Sequence, residues 1–316
     1  MLSICSIGVH AIMLWSLSFN SLAVCICLAS VLISAILPLG ESLAVKTLPD
    51  TVYGRVRLWG SVAFLLSNVL GGKAISHLGF PYVMVILLFS CLCICVSSLF
   101  LPTRRASEEQ ISEEKTIRQN STVQNSPAKI ASFFCSSWML PIFLFSASTI
   151  QSAHALYYCF GSFFFKSAGY NENAIGVLWA VGVAAEICIF ARKDLMANWS
   201  ARQFLVVGGI ASLVRWTLMA TNPPLPLMFL VQALHGLTFG ITHLGTIKFL
   251  QTAIPLELSA TVYGLYSAVS DGIFMAGATF LSGKLYSTYG SMSFFAMGLL
   301  GMIGGISATL LRSQTR

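Results

Sequence analysis

Stretches of about 20 residues with almost no charge recur from one end of this chain to the other. That pattern constrains the fold more than any motif in it. A helix that crosses the hydrocarbon core needs roughly 20 mostly apolar residues, because in lipid every backbone N–H and C=O must be satisfied within the segment. The runs are continuous, whereas the strands of a membrane barrel alternate apolar and polar residues over about 10 positions. The spacing predicts ten spans, at 2–19, 22–45, 56–76, 81–101, 134–163, 172–191, 203–221, 225–248, 258–283 and 290–311. The expected fold class is an all-α polytopic membrane protein. Composition agrees: 56% of the 316 residues are hydrophobic and 9% charged, where a soluble domain is about a quarter charged.

One connection is long and polar, "LPTRRASEEQISEEKTIRQNSTVQNSPAK" at 101–129, with Pro102 and Pro127 near its ends. It reads as a linker outside the bilayer, separating four helices from six. The expected organisation is a helical part at 1–101, a linker at 102–132 and a six-helix part at 133–316. Orientation follows from lysine and arginine placement. With Met1 inside, the inner side carries Lys46, Arg55, Arg57, Arg104, Arg105, Lys115, Arg118, Lys129, Arg192, Lys193, Arg202, Lys248, Arg312 and Arg316, and outer loops only Lys73, Lys166 and Lys284. Both termini and the linker are therefore expected in the cytoplasm. The net charge of +7 then reports topology, and no nucleic-acid partner is expected.

Ionisable and polar groups inside spans are costly and point to function. In 225–248, Gln232, His235, Thr242, His243 and Thr246 fall within about a 100° sector at helical spacing. Such a stripe can glue helices together or line a water-filled cavity, and its length favours the cavity. In 134–163, Gln151, His154, Tyr158 and Ser162 share a face, so a Gln-x-x-His pair occurs twice and suggests two walls of one cavity. Glu186 and Arg215 lie deep in neighbouring spans and are expected to pair, either as a static register pin or as a switchable couple. Glu41, after Pro38 and Gly40, and Asp271, with Tyr263, Tyr266 and Ser270 on a nearby face, are further substrate-contact candidates. Arg55 and Arg57 anchor the inner end of a span. No Walker A loop, His-Glu-x-x-His or Gly-x-Ser-x-Gly is present, and no Cys/His spacing suits zinc. No enzyme, metal or cofactor is expected.

"YGRVRLWGSVAF", "QSAHALYY", "GVLWAVGVAAEICIF", "LVRW" and "QALHGLTFGITHLGTIKFL" together resemble the 3-phenylpropionate permease group of the major facilitator superfamily. The second half is also distantly similar to the lactose permease branch. Glu186, Arg215 and His235 match that branch's intramembrane glutamate, arginine and histidine, and Thr238 stands where it has a further glutamate. The resemblance implies two helical halves around a central site worked by alternating access. It also implies that the chain starts at the fold's third helix, through a misplaced start codon or a truncated gene, so that 1–101 corresponds to helices 3–6.

The function expected is proton-coupled symport of a small organic solute such as an aromatic carboxylate, by a monomer in the bacterial inner membrane. The alternative is a truncated, non-transporting remnant or an accessory membrane protein. Glu186, His235 and Arg215 are the expected proton-coupling residues. Gln151, His154, Tyr158, Gln232, His243, Glu41 and Asp271 are the expected substrate contacts. Arg55 and Arg57 form the expected cytoplasmic gate.

Overall fold

The computed structural model describes residues 2–15, 18–47, 50–79, 82–100 and 138–312. Side chains are described outside 34–35, 37–47, 50–58, 61, 193, 256–257 and 259–260. The expected linker at 102–132 and the side chains of Glu41, Arg55 and Arg57 lie outside the described residues. Among the described residues the secondary structure is helical, with no strand. The chain divides into two compact units, Met1–Ala106 and Ser107–Arg316.

The first unit contains α1 (Leu2–Met13), α2 (Phe19–Thr47), α3 (Asp50–Leu78) and α4 (Val83–Leu99). Helix α1 packs against α2 and α4, burying Met13, Cys25 and Ala29 beside Val9, Leu22 and Met84. Most large apolar side chains here point outward, among them Phe19, Trp59, Phe89 and Leu99. Helices apolar all round are suited to lipid rather than to a water-facing surface.

The second unit carries α5 (Met139–Ser152), α6 (Ala155–Ser167), α7 (Glu172–Ala191), α8 (Ala201–Ala220), α9 (Leu225–Ala233), α10 (Ile241–Ala253), α11 (Leu256–Ser267), α12 (Met275–Tyr289) and α13 (Ser293–Ala308). Several of these are pieces of longer rods. Five stretches among the described residues are long and apolar enough to cross a membrane: Met139–Ser167, Glu172–Ala191, Ala201–Ala220, Leu225–Ala253 and Thr261–Ala308. The last contains two predicted spans, which turn at Gly290, a glycine in the left-handed region at φ 55°. Helix α8 starts with a capping box, Ser200 and Gln203 satisfying each other's backbone N–H groups. It ends at Ala220, and the chain turns at Asn222, also left-handed at φ 50°, before Pro223 and Pro224.

Small residues set the closest crossing. A Cβ on Gly209 of α8 would lie 2.5 Å from the Gly305 Cα of α13, so these backbones touch with nothing between them. Close approach of small residues is the main source of helix association in lipid, where apolar burial provides little drive. Helix α5 packs on the same helix, and Ser146 donates to the Gly304 carbonyl at 2.6 Å.

Three rods are interrupted. Met139–Ser167 breaks at Ala153–His154, between α5 and α6. The Gln151 carbonyl there takes the His154 backbone N–H at 3.1 Å and faces the His154 ring Nδ1 at 3.0 Å. A side chain inserted into the helical ladder is a recognised cause of a break. Leu225–Ala253 contains a five-residue π segment, Gly236–Gly240, and a second π segment, Ala268–Phe274, joins α11 to α12. Such segments are frequent at functional sites.

Candidate functional site

Two of these interruptions, the break at Ala153–His154 and the π segment Gly236–Gly240, meet at one buried polar cluster in the second unit. Its centre is Arg215 of α8, fully buried. One nitrogen of the guanidinium, Nη1, donates to Thr238 Oγ1 at 3.0 Å and faces His235 Nδ1 at 3.0 Å, while Nη2 donates to Gln232 Oε1 at 3.1 Å. The faces of Trp216 and Tyr157 lie 4.3 and 5.0 Å from its central carbon, within reach of cation–π attraction. On the far side of Thr238, His154 Nε2 approaches the hydroxyl at 3.0 Å. Gln232 turns its amide nitrogen toward the sulfurs of Met228 and Met219, at 3.7 and 3.9 Å, which leaves its oxygen for Arg215.

Donor chemistry fixes the two imidazoles. A guanidinium only donates, so the His235 Nδ1 that faces it is bare, and the ring's hydrogen sits on Nε2. That atom points to Glu186 Oε2 at 3.8 Å. A carbonyl only accepts, so the His154 Nδ1 facing the Gln151 carbonyl carries a hydrogen. In a neutral ring Nε2 is then bare, and the Thr238 hydroxyl donates to it while accepting from Arg215. From His154 to His235 each contact then pairs one donor with one acceptor. The order of groups is His154, Thr238, Arg215, His235, Glu186.

Glycines let Glu186 reach that chain. Gly236, in the π segment, approaches α7 so closely that a Cβ would lie 2.8 Å from the Ala185 carbonyl oxygen. Gly240 leaves room beside the Glu186 Cγ in the same way.

The expected direct pair between Glu186 and Arg215 is not what the geometry shows. His235 stands between them, and among the described residues no carboxylate lies within ion-pair distance of Arg215. The guanidinium is instead held by neutral oxygens, an imidazole nitrogen and aromatic faces. Its Nε has no hydrogen-bond partner, and neither has the neighbouring Trp216 Nε1.

Other predicted site residues are placed as follows. His154, Gln232 and His235 are brought together. Gln151 takes part through its carbonyl, because the break at His154 removes the straight face assumed for it. Tyr158 stacks on His154 with ring centres 5.6 Å apart and is 43% exposed, so it forms an open edge. His243 has its ring near Phe190 and Phe239. Asp271 is exposed, accepting from Ser267 at 2.8 Å. Thr238, absent from the predicted stripe, is a central member, and Thr242 and Thr246 continue a buried threonine row below it.

The chain matches known transport proteins along most of its length. Residues 1–297 match the MFS_1 like family. A protein of Escherichia coli (strain K12) named "Probable 3-phenylpropionic acid transporter" is 32% identical over 281 residues, covering 85% of this chain and 68% of the relative. An uncharacterized transporter of Bacillus subtilis (strain 168) is 24% identical over 287 residues, 89% of this chain and 68% of the relative. The maltose permease of Geobacillus stearothermophilus is 21% identical over 300 residues, 94% of this chain and 73% of the relative. A helical chain of membrane-spanning length, with a polar cluster inside it and these relatives, belongs to the MFS_1 like family of the major facilitator superfamily and is a non-enzymatic membrane transporter.

Proposed function

We propose that the protein is a proton-coupled symporter of a small organic anion, an aromatic carboxylate of the phenylpropionate kind. One observation carries this reading: Arg215 is a fully buried cation with no carboxylate beside it among the described residues. Burying a charge is expensive unless it is paired. A solute carboxylate would complete the site, and Tyr157, Trp216 and Tyr158 offer aromatic surface for the rest of the molecule. The name of the Escherichia coli relative agrees with that chemistry. The maltose-transporting relative is less similar, and a neutral sugar would leave the guanidinium uncompensated.

Arg215 is covered in this structure, so a solute reaches it only after the aromatic side chains and the His154 edge move apart. Alternating access supplies such movement. For proton coupling, Glu186 is the acidic group at the open end of the chain, 22% exposed, and His235 links it to Arg215. We place both termini and the linker in the cytoplasm of a bacterial inner membrane, on the lysine and arginine bias of the loops, and assign transport to a monomer.

The test is uptake of radiolabelled 3-phenylpropionate into proteoliposomes with an imposed pH gradient. Accumulation that collapses on adding an uncoupler is the expected result. A protein that inserts and accumulates nothing would favour the non-transporting alternative, and accumulation of maltose instead would refute the anion reading. Glu186→Gln keeps the shape and removes the ionisable group. It is expected to cut gradient-driven accumulation by at least about tenfold while exchange of internal for external solute persists. Accumulation at the unmutated rate would remove Glu186 from the coupling role.

A further inference from the structure

Thr238 has features that neither its residue type nor its place in the sequence suggests. It lies in the π segment, is fully buried, and its single hydroxyl meets two different elements, accepting from Arg215 of α8 and contacting His154 at the break between α5 and α6. A third contact, to the carbonyl of His235, is longer, at 3.3 Å. A hydroxyl has one hydrogen to give and two lone pairs to receive. With His154 Nδ1 committed to the Gln151 carbonyl, the hydrogen goes to His154 Nε2 and a lone pair takes Arg215. The irregular points of two rods are thereby joined at one level by one oxygen, and that same oxygen holds one prong of the guanidinium.

We infer that Thr238 is a positioning residue for transport: its hydroxyl ties the His154 break to the π segment and aims the Arg215 fork at the solute. It touches no solute itself and acts through Arg215. The inference rests on Arg215 being the solute anchor only for its effect on affinity; the tie between the two rods stands without it. His235 faces the same nitrogen, Nη1, and Gln232 holds Nη2, so loss of the hydroxyl leaves the cation in place with a freer orientation. The expected consequence is weaker capture of solute more than slower turnover.

Two measurements test it on the whole chain. The first compares Thr238→Val, which keeps shape and removes the hydroxyl, with Thr238→Ser, which keeps the hydroxyl. For 3-phenylpropionate uptake, Val is expected to raise KM about 10- to 100-fold, the range for losing a hydrogen bond to a charged group, with a smaller change in maximal rate. Ser is expected to restore KM to near the unmutated value. Equal KM for Val and Ser, whether raised or unchanged, overturns the positioning role. The second is a stability cycle in detergent with His154→Phe, Thr238→Val and the double variant, which needs no transport. The double variant is expected to lose less than the sum of the two single losses, because the bond between His154 and Thr238 is counted in both singles. Additive losses in melting temperature overturn the tie. If the unmutated protein takes up no phenylpropionate, the proposed function fails, and the cycle still decides whether the two rods are tied.

Discussion

Arg215→Met is expected to abolish accumulation of an aromatic carboxylate and to leave the protein folded. Methionine is unbranched and apolar and fills the stem of the arginine's space beside Tyr157 and Trp216, but it donates nothing. Removing one partner of a desolvated, hydrogen-bonded charge costs binding about 2–5 kcal/mol, which lowers affinity at least about 30-fold. Stability moves much less, because two terms oppose each other. Thr238, His235 and Gln232 each lose a donor, at about 1–3 kcal/mol for a buried group left unsatisfied. Against that, the desolvation cost of an unpaired buried cation disappears, and apolar replacements of buried charges are often neutral or stabilising. The melting temperature in detergent is therefore expected to shift by only about a few degrees. Arg215→Lys keeps the charge and still fails, since one ammonium on a flexible stem cannot replace a planar fork that reaches three acceptors. Uptake by the methionine variant at the unmutated rate would end the role assigned to Arg215. An unfolded methionine variant would instead show that the guanidinium serves the fold.

This opposition explains how a buried cation can be kept for function. Hydrogen bonds between membrane helices contribute on average only about 0.6 kcal/mol in measured cases. A cluster chosen for stability alone would be better apolar. The cluster here is interrupted by a helix break and a π segment, leaves Arg215 Nε and Trp216 Nε1 without partners, and meets the open edge at Tyr158 and Glu186. Incomplete satisfaction around a charge is expected at a place that exchanges its partners during a cycle.

The helical rods were legible because lipid leaves a chain so few options. Continuous apolar runs of sufficient length must be helices, and charge bias then suggests their direction. Arg215, His154, His235 and Gln232 were legible for a related reason, since polar groups inside such runs stand out. Their connections were not legible. Straight-helix arithmetic put His243 in the stripe and left Thr238 out. The π segment resets the helical phase between Gln232 and His243, so the structure buries Thr238 beside Arg215 and turns His243 toward Phe190. The pairing of Glu186 with Arg215 assumed that opposite charges on neighbouring helices meet. It overlooked that Gly236 and Gly240 bring α7 against the π segment, where His235 comes first. Threonine gives little signal in a membrane helix, because its hydroxyl commonly returns to a carbonyl of its own helix. That is what Thr242 and Thr246 do.

Gly209→Val is expected to prevent the second unit from assembling, whatever the cluster does. The added Cβ would stand 2.5 Å from the Gly305 Cα and 2.9 Å from the Gly301 carbonyl oxygen. Both are backbone atoms, so no side chain can swing aside, and α8 and α13 must separate. Overpacking a well-filled core costs about 1–3 kcal/mol where side chains can adjust, and more where they cannot. Here the separation also removes the dispersion contacts that hold small-residue crossings together in lipid. It disturbs α5 as well, since Ser146 donates to Gly304 on the same stretch of α13. The loss is expected to exceed about 3 kcal/mol, a large share of the stability of an ordinary domain. The measurement is the yield of monodisperse protein on size exclusion in mild detergent, with its melting temperature. Gly283→Ala is the control: a Cβ there meets nothing within 4 Å, and alanine improves helix propensity by up to about 1 kcal/mol. The valine variant is expected to aggregate while the alanine control elutes and melts like the unmutated protein. A valine variant that behaves like the control would mean that α8 and α13 do not cross at these glycines. The position of Arg215, about one and two-thirds helical turns along α8 from Gly209, would then lose the support assigned to it.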